Sequence, residues 1–345
     1  MALQKIPGRA IQLDSQANSD VMYFDGTDWV RLEKGDAGKV LTVNEDATAP
    51  QWGPACVFPG TQFGYVCGGY LGKSPDDTSG PNVHYGISIH KFSLTTDGDS
   101  TLVGDLLSAR RQLSGFSSNT HGFSVGGYIS QAPSSLDIIE RFSFTTDGNS
   151  TDWADLTTTF NTNAVPASSC THGYSFGGEN GTNANTNIID RFPFASQTNS
   201  TDIGNLVLVR SGGAGVSSET DGYIVGGVTV GTNPGNSAPL WDRSNIDKFS
   251  FASGTQNAVD HGDLPLELSA GAHNPSGISG ETHGYCAGGI FSRNVNNHQW
   301  PREQIEKFSY ASNVTASDVG DLVQAGTNNP SGPNFGVSGA SGHQY

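Results

Sequence analysis

Apolar positions along this chain fall in short runs, and the runs repeat. An aromatic residue followed by two residues and a Gly-Gly pair occurs five times. The copies are Gly64-Tyr65-Val66-Cys67-Gly68-Gly69, Gly122-Phe123-Ser124-Val125-Gly126-Gly127, Gly173-Tyr174-Ser175-Phe176-Gly177-Gly178, Gly222-Tyr223-Ile224-Val225-Gly226-Gly227 and Gly284-Tyr285-Cys286-Ala287-Gly288-Gly289. Each is followed by a second run, beginning Ile89-His90-Lys91-Phe92, Ile139-Glu140-Arg141-Phe142, Ile189-Asp190-Arg191-Phe192, Ile246-Asp247-Lys248-Phe249 or Ile305-Glu306-Lys307-Phe308. A third short run closes each unit, at Asp105-Leu106, Asp155-Leu156, Asn205-Leu206, Asp263-Leu264 and Asp321-Leu322. A fourth, of small residues, precedes the aromatic one, as in Gly213-Ala214-Gly215-Val216-Ser217.

Four short strands in about 50 residues is the size of one propeller blade. The pattern therefore predicts an all-β chain with a five-bladed β-propeller over residues 59–345. The tail Asn334-Phe335-Gly336-Val337-Ser338-Gly339-Ala340-Ser341 reads as a first strand with no second strand after it. It is expected to complete blade one, which would close the ring and remove both sheet edges.

This order of strands resembles the kelch family over about residues 59–345. The resemblance rests on the five Gly-Gly pairs and the aromatic residue three positions before each. It departs in the outer strand, where the tryptophan usual in that family has one candidate, Trp153.

Composition narrows the function classes. Of 345 residues 46 are glycine, and 33 acids against 17 bases give a net charge of −16. That balance argues against a phosphate-binding surface, so no nucleic-acid partner is expected. No apolar run approaches the ~18 residues of a membrane span, and the first residues lack the apolar core of a signal peptide. The four cysteines, Cys56, Cys67, Cys170 and Cys286, match no zinc or disulfide spacing and are expected to be free thiols in a reducing compartment.

A meander puts alternate loops on opposite faces of the ring. On one face the turns Thr120-His121-Gly122, Thr171-His172-Gly173, Thr220-Asp221-Gly222 and Thr282-His283-Gly284 repeat. His121, His172, Asp221 and His283 are read as hairpin residues with positive φ rather than as metal ligands. Asp97 and Asp99 lie in a turn without the full calcium-loop pattern. No metal and no cofactor is expected. Glu140, Asp190, Asp247 and Glu306 are expected to join a network between blades rather than to catalyse, and no nucleophile–base pair stands out, so the chain is read as non-enzymatic.

The other face is irregular, with long loops in copies one, four and five. Its candidate ligand- or partner-binding residues are Tyr70, Tyr85, Tyr128, Trp241, Arg243, Phe291, Arg293, Trp300 and Arg302. Aromatic and arginine side chains stack on sugar faces or anchor protein contacts. The competing structural reading has them capping blade ends.

Residues 1–58 share no repeat and form a separate N-terminal β module. Asp20–Leu32 reads as a hairpin around Asp25-Gly26, followed by a strand over Gly35–Val43 that Ala49-Pro50-Gln51-Trp52-Gly53-Pro54 ends. Tyr23, Phe24, Gly26, Trp29, Leu32, Gly35, Gly38, Val40, Leu41, Thr42, Ala49, Pro50 and Trp52 match a short β module of bacteriophage tail-fibre and related virion proteins. The resemblance implies attachment to other virion proteins through Tyr23, Phe24, Trp29, Leu32 and Trp52, and association as homotrimers. Kelch-like arrays behind such a module resemble structural proteins of marine and cyanobacterial phages. The resemblance thus implies a non-enzymatic virion protein, a tail fibre or a tail- or capsid-associated appendage, assembled in the host cytoplasm. Its propeller would be displayed to bind a host-surface glycan or protein. Two alternatives stand beside it: an assembly module without host contact, and a propeller enzyme acting on carbohydrate.

Overall fold

The computed structural model describes residues 20–35, 39–43, 48–54, 63–72, 84–129, 135–159, 164–179, 184–230, 240–252, 257–265, 275–280, 282–293, 298–301, 303–322 and 342–343. Every regular element among them is a β-strand. The chain divides into two compact units, residues 1–57 and 58–345.

The larger unit is a five-bladed β-propeller. Blades two to five each hold an antiparallel run of four strands in chain order, from inner to outer. Blade two comprises Ser114–Ser117, His121–Val125, Ile138–Ser143 and Thr151–Asp155; blade three Val165–Ser168, His172–Phe176, Ile188–Pro193 and Thr201–Asn205. Blade four comprises Ala214–Ser217, Asp221–Val225, Asn245–Ser250 and Val259–Asp263; blade five Ser276–Ser279, His283–Ala287, Gln304–Ser309 and Ser317–Asp321. Blade one shows three described strands, Phe63–Cys67, Ser88–Ser93 and Thr101–Asp105.

The repeated residues meet across the junctions between blades. In blades one to four the strand-two aromatic stacks on the aromatic that follows the next blade's third strand. The pairs are Tyr65–Phe144, Phe123–Phe194, Tyr174–Phe251 and Tyr223–Tyr310, with centroids 4.7–5.0 Å apart. The glycine before each aromatic has its own reason. A β-carbon at Gly122, Gly173, Gly222 or Gly284 would overlap the phenylalanine ring of strand three in the same blade. The core is therefore layered between blades, with Leu106, Leu156, Leu206 and Leu264 buried below the stacks.

The outer strand reaches the next blade at two junctions. Trp153 is buried, lies under the Arg141 guanidinium and donates Nε1–H to the Pro193 carbonyl of blade three. In blade four the same place is held by His261, whose Nε2 lies 2.8 Å from the Ser309 carbonyl of blade five. A buried imidazole thus replaces the missing indole, a substitution visible only once Asp152-Trp153 and Asp260-His261 are superposed by strand register.

Inner strands approach closely around the axis. A β-carbon at Gly215 would overlap the Pro166 carbonyl, and one at Gly277 the Gly215 carbonyl. Ser168 N–H donates to Ser217 Oγ and Ser217 N–H to Ser279 Oγ, tying three blades. Gly115 meets open space, and Val66 is 56% exposed where Ser124, Ser175, Ile224 and Cys286 are buried. Blade one's inner position thus has no described strand. The expected closing strand, 334–341, lies outside the described residues. The described Gly342–His343 pairs in parallel with the inner strand of blade five.

The repeated turns differ from expectation in one respect. Among the described residues Gln112, at φ 56°, is the only non-glycine with positive φ. His121, His172, Asp221 and His283 begin strands instead. Ser118, Ser169 and Ser218 accept the N–H of the residue three positions on, so a serine side chain closes three of the four turns without left-handed backbone; the fourth has Gly280 at that place.

In the smaller unit Val21–Phe24 pairs with Trp29–Leu32, and Lys39–Val43 with Pro50–Pro54. Asp25 closes the first turn by accepting the N–H groups of Thr27 and Asp28, with Gly26 at φ 104°. The Trp52 ring lies against Gly35 and its Nε1–H reaches the Glu33 carbonyl. Arg31 pairs with Asp20 at 2.7 Å. No described residue of this unit is fully buried, and Phe24 and Trp29 are 55% and 51% exposed.

Candidate functional site

Each junction is built on a connection that leaves one outer strand and runs to the next inner strand. A β-bulge after Ile139 or Ile189 shifts the third strand just before its acid, which turns the carboxylate towards that connection. Glu140 accepts the Leu107 N–H, Asp190 the Thr157 N–H and Asp247 the Val207 N–H, each at 3.0 Å. The acids therefore bind the outgoing connection of the preceding blade.

Two of these acids also carry an arginine. Arg110 Nη1 pairs with Glu140 Oε1, and both side chains are fully buried. Arg210 Nη2 lies 2.5 Å from Asp247 Oδ2, and its Nη1 donates to the Gly226 and Asn245 carbonyls. Among the described residues no arginine pairs with Asp190, and the sequence position matching Arg110 is Phe160. Its carboxylate is met by Thr157 Oγ1 at 2.7 Å. Burial pushes the Asp190 pKa up, against the Thr157 hydrogen bonds that pull it down.

The connection also meets the Gly-Gly pairs on the irregular face. Both glycines of each pair have positive φ, near 60° and then 90–110°. Gly69 N–H donates to the Arg110 carbonyl, and Gly178 N–H to that of Arg210. A β-carbon at Gly68 or Gly177 would collide with the same carbonyls. The pairs thus need both the unusual backbone and the missing side chain.

The long loops form hairpins on this face. Tyr70–Gly72 pairs with His84–Tyr85, Val228–Val230 with Leu240–Asp242, and Ile290–Arg293 with His298–Pro301. Tyr70 stands opposite Tyr85, Trp241 opposite Thr229, Phe291 opposite Trp300 and Arg293 opposite His298. The Leu240–Asp242 strand lies next to Ile290–Arg293, which brings the Trp241 and Phe291 positions into one region. Arg243 Nε donates to Thr229 Oγ1, which donates to the Val209 carbonyl. Arg302 lies outside the described residues.

Tyr85 and Tyr128 come together at the junction of blades one and two, their rings 6.1 Å apart and nearly perpendicular. Beside both rings is a residue that sequence reasoning missed. The Arg111 guanidinium carbon lies 5.3 Å from the Tyr85 centroid and 5.2 Å from that of Tyr128. The signal was the Arg110-Arg111 doublet, whose first member turns inward and whose second turns to the face.

On the opposite face one ring nitrogen of each of the three histidines is engaged locally. The Nδ1 atoms of His121, His172 and His283 each lie 2.8 Å from the hydroxyl of the preceding threonine. Among the described residues no three His, Cys, Asp or Glu side chains are placed to share a metal ion.

The cysteine expectation is corrected. Cys67 and Cys286 are free, but Cys170 is disulfide-bonded. Cys170 sits half-buried in the turn between the first two strands of blade three rather than inside a strand. Sequence spacing carries no information about which segment folds beside such a turn. Burial pushes the Cys67 thiol up to about 12.

Comparison with known proteins gives a fold and no more. No protein-family description matches the chain, and no curated protein matches it. Among solved structures, one described as "Structure of YjhT" is similar at a TM-score of 0.56, with 12% sequence identity, over 70% of this chain and 81% of that one. At that identity the likeness is one of fold, here a five-bladed β-propeller, an architecture that fits a binding or a structural role.

Proposed function

We propose that this protein is a non-enzymatic binding propeller of a bacteriophage virion. Residues 1–58 attach it to other virion proteins, and the irregular face engages a host-surface glycan or protein. One observation carries the binding half of the reading. Three strand-three acids, Glu140, Asp190 and Asp247, are taken up by the junctions, while the irregular face carries an aromatic and arginine cluster, Tyr85, Arg111 and Tyr128, whose places at another junction are held by other residue types. Proton-transfer chemistry needs a free acid or base in a cleft, whereas stacking and charge on an open loop face are the means of recognition.

The attachment half rests on the resemblance of residues 20–54 to tail-fibre modules. Two observations support it. The exposed Phe24–Trp29 pair, on a unit with no buried described residue, calls for a covering partner. The disulfide at Cys170 suits a protein that works outside the reducing cytosol, as virion surfaces do.

Mass spectrometry of purified particles tests the virion assignment, and absence of the chain ends it. Replacing Trp241 and Trp300 by alanine tests the face. Lost adsorption by intact particles supports host binding; failed particle assembly favours a purely structural module.

A further inference from the structure

Arg243 follows the blade-four hairpin on the irregular face, and its side chain is aimed by its neighbours. Its backbone N–H donates to the Gly227 carbonyl at 2.8 Å. Its Nε–H donates to Thr229 Oγ1 at 3.0 Å, and that hydroxyl donates to the Val209 carbonyl at 2.7 Å. One hydroxyl thus ties the guanidinium to the connection that arrives from blade three. We propose that Arg243, held by Thr229 beside this connection, forms a subsite for the carboxylate of an acidic saccharide. The proposal rests on the binding reading above and names its ligand class.

Three observations carry it. The fold does not need a cation at this place. In blades one to three the residue that donates the same backbone hydrogen bond to the second glycine of the pair is Gly86, Leu136 or Thr186. The charge is also uncompensated. Among the described residues no carboxylate pairs with Arg243, and two acids of its own blade are engaged elsewhere. Asp247 is taken by Arg210 and the Val207 N–H, and Asp263 by Ser244 Oγ and Asn245 Nδ2. Burial lowers the Arg210 pKa, Asp247 opposes that, and the Arg243 charge lowers it further. A bound anion would relieve this repulsion between two guanidiniums. Finally, the shape is complementary. With Nε committed to Thr229, the Nη edge remains, and its two parallel N–H groups match the two oxygens of a carboxylate. On the same connection Val207 and Val209 are 49% and 40% exposed, an aliphatic surface for the C–H face of a sugar ring.

The chain's charge separates the possible sources of the acid. At −16 it repels an acidic protein over a whole contact area, and a stable protein contact covers about 800 Å² on each partner. A saccharide unit brings one carboxylate to one fixed cation, and a few placed polar groups suffice to orient it.

The test is affinity electrophoresis of the full chain through gels containing alginate, a polyuronate, dextran, a neutral glucan, or poly-glutamate, an acidic peptide. Alginate is expected to retard the protein, and the other two are not. Arg243→Met should weaken alginate binding by about tenfold to a hundredfold with an unchanged thermal midpoint. Thr229→Val keeps the charge but removes the hydroxyl that aims it, and should weaken binding severalfold. If Arg243→Met does not fold, Arg243→Lys, which keeps the charge but loses the planar fork, should still bind more weakly than the parent.

No retardation by alginate, equal retardation by dextran or poly-glutamate, or variants that bind like the parent would each overturn the assignment. If any of these occurs while the Trp241 and Trp300 variants still abolish adsorption, the binding reading survives without this subsite. If adsorption is also unaffected, both fall.

Discussion

Tyr174 of blade three lies flat on Phe251 of blade four, with centroids 4.7 Å apart and planes 26° from parallel. The same contact recurs at three other junctions. It joins two motifs that are 77 residues apart in the chain. Phe251→Ala should lower stability by about 2–4 kcal/mol. A double-mutant cycle with Tyr174→Leu, read by urea unfolding, should give a coupling of about 0.5–1.5 kcal/mol. Additive losses would mean that the stack contributes area alone.

Glu140 and Asp190 occupy equivalent places but should respond oppositely to neutralisation. Glu140→Gln strands the Arg110 charge in the core, and should cost about 3–5 kcal/mol. Asp190→Asn removes a charge that burial disfavours while keeping an acceptor for Thr157 N–H. Because the folded pKa of Asp190 is raised, its contribution is fully present below the unfolded value near 3.8 and is lost as pH rises through the folded value. Asp190→Asn should therefore gain on the parent as pH rises to neutrality, and the gain should vanish in acid. Unfolding curves across pH 3–8 measure it; the opposite slope would refute it.

Gly26 and Gly177 separate two costs of adding a β-carbon. Both have positive φ, but Gly26 meets nothing within 4 Å while Gly177 meets the Arg210 carbonyl. Gly26→Ala should cost about 1–2 kcal/mol, the backbone strain alone. Gly177→Ala adds a clash with backbone that cannot rotate away, and should exceed it. Thermal melts of the two variants decide the order.

Cysteine labelling should sort the thiols. In native protein at pH 8, Cys67 and Cys286 should resist iodoacetamide: burial keeps Cys67 protonated, with its pKa about 12, and Cys286 is fully buried. Both should label in urea, whereas Cys170 should label only after reduction. Reduction should also lower the melting temperature, and Cys170→Ser should abolish that effect. Labelling of Cys170 without reductant would contradict the disulfide.

Much of the blade was legible because its contacts repeat. Gly173, Tyr174, Phe192 and Leu206 recur with equivalents in every copy, and a strand of period two has few ways to bury them. The binding face was legible only in part. Tyr85 and Tyr128 were visible as aromatics in loops, but Arg111 was not, since consecutive arginines on a connection give no hint of which one turns inward. His261 escaped for a related reason: a polar residue in an outer strand reads as exposed until the neighbouring blade covers it.

The sequence by itself determined the number of blades, the order of strands in each and the residues that fill the junctions. These follow from local spacing, and a fivefold repeat states that spacing five times. Only the tertiary structure decided the pairings between copies. Repetition makes the blades alike, so it cannot say that Arg110 meets Glu140, that Asp190 is met by Thr157 instead, that Arg111 comes to lie beside Tyr85 and Tyr128, or that Cys170 is bridged. Those choices depend on side-chain direction and on chain segments brought close by ring formation. Distance along the chain does not encode either.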